Sequence, residues 1–117
     1  MPHLTLEYTA NLTPAADPAG LLLELHRAIA GAAGIQIENF KSRAVRRDLY
    51  AVGAGLSDEA FVHLEIAVFG GRPPETRDEV GRTSLAILVR HFGPVVQITV
   101  EIREMDRSTY FKNPSLI

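Results

Sequence analysis

One pattern is written twice along this chain, and it leaves few folds open. A strand, a helix and a second strand are followed by the same order roughly sixty residues later. Residues 3–8 alternate, with Leu4, Leu6 and Tyr8 on one face and His3, Thr5 and Glu7 on the other. Asp17-Pro18 reads as an N-cap with a proline in the first helical turn. Leu21, Leu22, Leu25, Ala28, Ile29 and Ala32 then make a helical stripe that Gly34 ends. A second strand is expected from about Phe40 to Tyr50, closed by the turn residues Gly53, Gly55 and Ser57-Asp58. Ala60 to Phe69 restarts the pattern, with Val62, Leu64, Ile66 and Val68 on one face. Gly70-Gly71-Arg72-Pro73-Pro74 leads into a helix whose expected stripe is Val80, Leu85, Leu88, Val89 and Phe92. Gly93-Pro94 ends it, and Val96, Ile98, Val100 and Ile102 form the apolar face of a last strand.

Two β-α-β units of this kind predict a two-layer α/β sandwich. Both helices lie on the apolar face of one four-stranded mixed sheet. Right-handed crossovers make the two strands of each unit parallel. With 117 residues the chain is long enough for one core. It reads as a single domain over 1–117, with halves of about 1–57 and 58–117. Its 46% hydrophobic and 22% charged residues are those of a globular chain. A net charge of −2 gives no electrostatic reason to expect nucleic acid or an anionic membrane as partner. Without cysteines there is no disulfide, no thiolate zinc site and no cysteine nucleophile, which fits a cytoplasmic protein.

The second face of the sheet is polar. In phase it carries His3, Thr5 and Glu7, then Lys41, Arg43 and Arg47, then His63 and Glu65, then Gln97, Thr99, Glu101 and Arg103. Such a face can be solvated. It can also line a space between subunits, which Phe61, Ala67 and Phe69 in the same phase favour.

Candidate chemistry begins at Pro2. Removal of Met1 would leave Pro2 with a free secondary amine, able to act as base or nucleophile. Desolvation and neighbouring Arg or Lys lower the proton affinity of such an amine toward neutral. A base titrating near the working pH is the useful kind. Met-Pro is also an ordinary chain start, so the dipeptide alone decides nothing. Gly70-Gly71-Arg72, between a strand and a helix, can bind an anion, with Arg72 offering a planar donor fork. It can equally be a surface turn in which Arg72 pairs with Glu75. Lys41 and Arg43 add cations on the second strand, as ligand contacts or as a solvated segment. The four histidines form no metal motif, and His26 and His91 read as structural. Gly53-Ala54-Gly55 is not a phosphate loop, and no Ser or Thr sits in a nucleophile elbow.

Taken together, Pro2-His3 ahead of a strand, Glu7, Ser42-Arg43, Ala60-Phe61-Val62-His63, Gly71-Arg72 with Glu75 and Arg77, and Phe111-Lys112-Asn113 resemble the tautomerase superfamily. Within it the chain is most similar to the 5-carboxymethyl-2-hydroxymuconate isomerases. The resemblance implies a homotrimer whose sheets surround a threefold axis, with the active site around Pro2 near a subunit boundary. It implies Pro2 as the proton-transfer group, acting on a small enol or keto carboxylate without metal or organic cofactor. Pro2 would take the enol proton of the muconate and return it to a distant carbon, in the breakdown of homoprotocatechuate. Arg72 matches a family arginine that binds substrate. Lys41 stands where the family has another arginine, keeping the charge without the bidentate fork, and Arg43 is a nearby substitute. A tautomerase acting on another acid, such as phenylpyruvate, and a non-catalytic ligand-binding module are the other readings. With Met1 retained, the Pro2 nitrogen is an amide. That form is expected to be inactive, with Met1 in or across the pocket mouth.

Overall fold

The protein is described by a computed structural model covering residues 1–15, 17–56, 58–93 and 97–114. Ser57, Pro94 and Val96, assigned to turns and to the last strand above, lie outside the described residues.

The first unit comprises β1 (His3–Thr9), α1 (Pro18–Ala33) and β2 (Lys41–Arg47). The second comprises β3 (Phe61–Phe69), α2 (Pro74–Phe92) and β4 (Gln97–Met105). The strands form one sheet in the order β2-β1-β3-β4. Pairing is parallel within each unit and antiparallel between β1 and β3. Leu4, Leu6, Val62, Leu64 and Ile66 are fully buried against Leu21, Leu25 and Leu88 of the helices. Removing any one of these leucines to alanine would cost about 2–5 kcal/mol.

Local signals set the ends of α1. The Asp17 carboxylate accepts from the Gly20 N–H at 2.9 Å, and Pro18 occupies the first turn. Gly34 then takes a left-handed φ of 68°, and its N–H donates to the Ala30 carbonyl.

Two elements differ from their sequence reading. β2 stops at Arg47, short of Tyr50, because its partner β1 stops at the opposing Thr9. Past that pair no strand among the described residues pairs with 48–50, and Leu49 is 95% exposed. In α2, Leu85 and Val89 are not part of the buried stripe; they are 38% and 48% exposed. The buried face is Val80, Ser84, Ile87, Leu88, His91 and Phe92. Polar Ser84 and His91 occupy two of its positions, so hydrophobicity alone places the stripe about one residue off. His91 is tolerated there because its Nε2 donates to Glu24 Oε1 of α1 at 2.8 Å. Arg90 pairs with the same carboxylate. These bonds hold Glu24 below the usual carboxylate range, His91 first and Arg90 second, and tie the two helices together. No helix among the described residues is long and apolar enough to cross a membrane.

Candidate active site

The register builds the site. β1 and β2 begin at the sheet end where β3 and β4 finish. His3 lies opposite Lys41 on one side and Ala67 on the other, and Phe69 lies opposite Met105. Pro2 therefore meets the start of β2, the end of β3 and the loops that leave β3 and β4. It is fully buried, and its carbonyl accepts from the Lys41 N–H at 3.1 Å. Met1 is half-buried, with its sulfur 3.9 Å from Lys112 Nζ.

Here the terminal amine belongs to Met1, one residue before the nitrogen of interest. It reports the field at this end of the sheet. Its pKa lies below the ordinary range of a terminal amine, first through desolvation and then through the charges of Lys41, Arg72, Arg107 and Lys112. Beside it, His3 Nδ1 faces the two terminal Arg43 guanidinium nitrogens, each at 3.3 Å. A guanidinium only donates, so Nδ1 accepts and Nε2 carries the proton, donated to Tyr110 Oη at 2.8 Å. Burial, then Arg43 and Lys41, push the His3 pKa down, which favours this neutral tautomer.

The four residues expected from the sequence all lie at or beside this end. Lys41 is exposed, with Nζ donating to the Asn39 carbonyl at 3.1 Å. Arg43 touches His3. Arg72 follows Gly71, whose φ of 105° makes the turn. The Arg72 guanidinium donates to backbone carbonyls, Phe69 at 3.1 Å and Ala33 at 3.5 Å, rather than to Glu75. Its side chain also lines an apolar groove with Ile29, Val68 and Ile102.

Charge pairing separates this region from the rest of the surface. Arg46, Arg47, Arg77, Arg82, Arg90 and Arg103 each have a carboxylate partner. Among the described residues Lys41, Arg43, Arg72, Arg107, Lys112 and Arg27 do not, and all but Arg27, exposed on α1, gather at the Pro2 end. That leaves a cationic patch suited to a carboxylate ligand. Sequence reasoning missed Arg107, Tyr110 and the role of His3. Phe111-Lys112-Asn113 was visible as a matching segment, but nothing periodic shows that it returns to the chain start.

Residues 2–116 match the family described as 5-carboxymethyl-2-hydroxymuconate isomerase. This chain belongs to that family. As a member of the 5-carboxymethyl-2-hydroxymuconate isomerase family it is an isomerase. It is 26% identical to the 5-carboxymethyl-2-hydroxymuconate Delta-isomerase of Escherichia coli, over 96% of this chain and 93% of that one. A 5-carboxymethyl-2-hydroxymuconate isomerase from Deinococcus radiodurans, known by crystal structure, is 32% identical with a TM-score of 0.84. That match covers 96% of this chain and 88% of the other. A fused 4-OT solved as a symmetric trimer shares the fold at 17% identity, with a TM-score of 0.79 over 96% and 92% of the two chains. The four-stranded mixed sheet with two helices is thus the tautomerase fold expected from the sequence.

Proposed function

We propose that this isomerase moves a proton within 5-carboxymethyl-2-hydroxymuconate, using the amine of Pro2 once Pro2 is the terminal residue. The observation that carries the reading is the burial of Pro2 where four cations without carboxylate partners act on the chain start and a fifth, Arg43, faces His3. The name of the Escherichia coli relative supports the substrate. The neutral proline nitrogen takes the enol hydroxyl proton. The O–H electrons form the ketone, the conjugated double bonds shift, and a distant carbon takes the proton back from the proline ammonium. Lys41, Arg43 and Arg72 hold carboxylates and stabilise negative charge on the dienolate oxygen. Desolvation and the cations keep the amine available as a base near neutral pH.

The proposal includes a homotrimer with the site near a subunit boundary. The trimeric fold relative supports it. So do the half-buried Phe61 on the polar sheet face and Phe111, 90% exposed beside the site. Phe69 supports it less than its sequence phase implied, because Tyr110 and Arg107 of the same chain already contact it.

Pro2→Ala tests the chemistry. Turnover of the enol is expected to fall about a hundredfold or more, the scale of general-base catalysis. Pro2 is fully buried, so the substitution also removes packing, at about 1 kcal/mol. A folded variant as active as the parent would remove Pro2 from the mechanism.

A further inference from the structure

The segment after β4 folds back over the Pro2 end, and the substrate contacts proposed above make no use of it. Asp106 holds its first turn, Arg107–Thr109, by accepting from the Ser108 N–H at 2.9 Å and the Ser108 hydroxyl at 2.8 Å. Tyr110 then reaches two residues of the site. Its hydroxyl accepts from His3, and its ring meets Phe69 edge-on, with centroids 5.2 Å apart. Arg107 lies on Phe69 as well, its guanidinium carbon 4.2 Å from the ring centroid. Phe69 is two residues past Ala67, the residue opposite His3, so the stacked pair sits at the chain start. Among the described residues the Arg107 guanidinium has a ring partner and no carboxylate or hydrogen-bond acceptor.

A guanidinium stacked by one face keeps its in-plane N–H donors for a planar anion. The ring also restricts its rotamers before any ligand arrives, which lowers the entropy lost on binding. We propose that Arg107 binds a second carboxylate of the substrate, and that Tyr110, through His3 and Phe69, is the residue that positions the segment carrying it. This rests on the reading of the sheet end as a carboxylate site, but not on Pro2 chemistry.

The probes are two unreactive acids of equal length, adipate and hexanoate, titrated calorimetrically into protein from which Met1 has been removed. The parent is expected to bind adipate more tightly. Arg107→Ala is expected to weaken adipate about tenfold, as for loss of one charge-assisted contact at an exposed site, and to leave hexanoate within about twofold. Arg107→Lys should fall between, because charge is kept and the fork is lost. Tyr110→Phe should weaken adipate alone, which a purely structural role would not do. Equal losses for both acids, no loss on Arg107→Ala, or no adipate preference in the parent would overturn the assignment. Tyr110→Phe matching the parent would overturn the positioning role. Turnover is read separately. An inactive protein that shows the Arg107-dependent preference sinks the Pro2 mechanism and keeps this site. An active protein without it does the reverse.

Discussion

Pro2 owes its importance to where its nitrogen lies rather than to what its ring contacts. The groups facing the terminal amine come from every element that meets there: Lys41 of β2, Arg72 after β3, and Arg107 and Lys112 after β4, with neutral His3 alongside. Desolvation and the four charges act in one direction and lower the Met1 amine pKa; the same field acts on the Pro2 amine, one residue on, once Pro2 is the terminus. A lowered pKa means that the base form persists to lower pH, so the acid limb of kcat/KM lies below that of an unperturbed terminal amine. Lys41→Gln removes one charge, raises the amine pKa, and should move the acid limb to higher pH, as a pH–rate profile would show. A limb that stays in place or moves down would deny Lys41 its part in the field. At this scale the sequence displays the residue types. It does not display the meeting of His3 with Tyr110, which lie 107 residues apart and share no periodic pattern.

Among the elements, the strands were the legible part. Period-two alternation placed His3, Lys41, Arg43 and His63 on the polar face and Leu4, Leu6 and Val62 on the buried one, as found. The Asp17 cap and Gly34 stop were legible for the same reason: each is a local device. The α2 stripe was legible in part: Val80, Leu88 and Phe92 are buried as expected, while Ser84 and His91 take the places of Leu85 and Val89 because α1 and the sheet decide their burial rather than hydrophobicity. The length of β2 depends on where β1 ends, a tertiary fact. Arg72 belongs to this scale as well. It ties the end of β3 to the last turn of α1 through the Phe69 and Ala33 carbonyls. Arg72→Ala should therefore lower stability by about 1–2 kcal/mol, beyond any effect on substrate. In thermal unfolding that is a fall of several degrees, at roughly 4–8 °C per kcal/mol for a chain near this size. An unchanged midpoint would mean that those bonds contribute nothing net.

At the level of the whole molecule, the duplicated unit explains both layers and the site. Two parallel pairs joined antiparallel through β1 and β3 bring two strand starts and two strand ends together at Pro2. The polar sheet face, carrying the Arg103–Glu65 and Arg47–Glu7 pairs, is left for neighbouring subunits in the trimer reading. Sedimentation equilibrium at micromolar concentration should give three times the mass of one chain, and a monomer would remove the intersubunit site. In the proposed mechanism a free Pro2 amine does the chemistry, and Met1 controls whether that amine exists. With Met1 present the Pro2 nitrogen is an amide and takes no proton near neutral pH. With Met1 removed it is a secondary amine, and the strand that follows begins only at His3. Enol turnover should therefore be measured by absorbance on matched samples of the two forms, their termini verified by mass spectrometry. Activity confined to the form that begins at Pro2 is the expected result; equal activity with Met1 intact would contradict it.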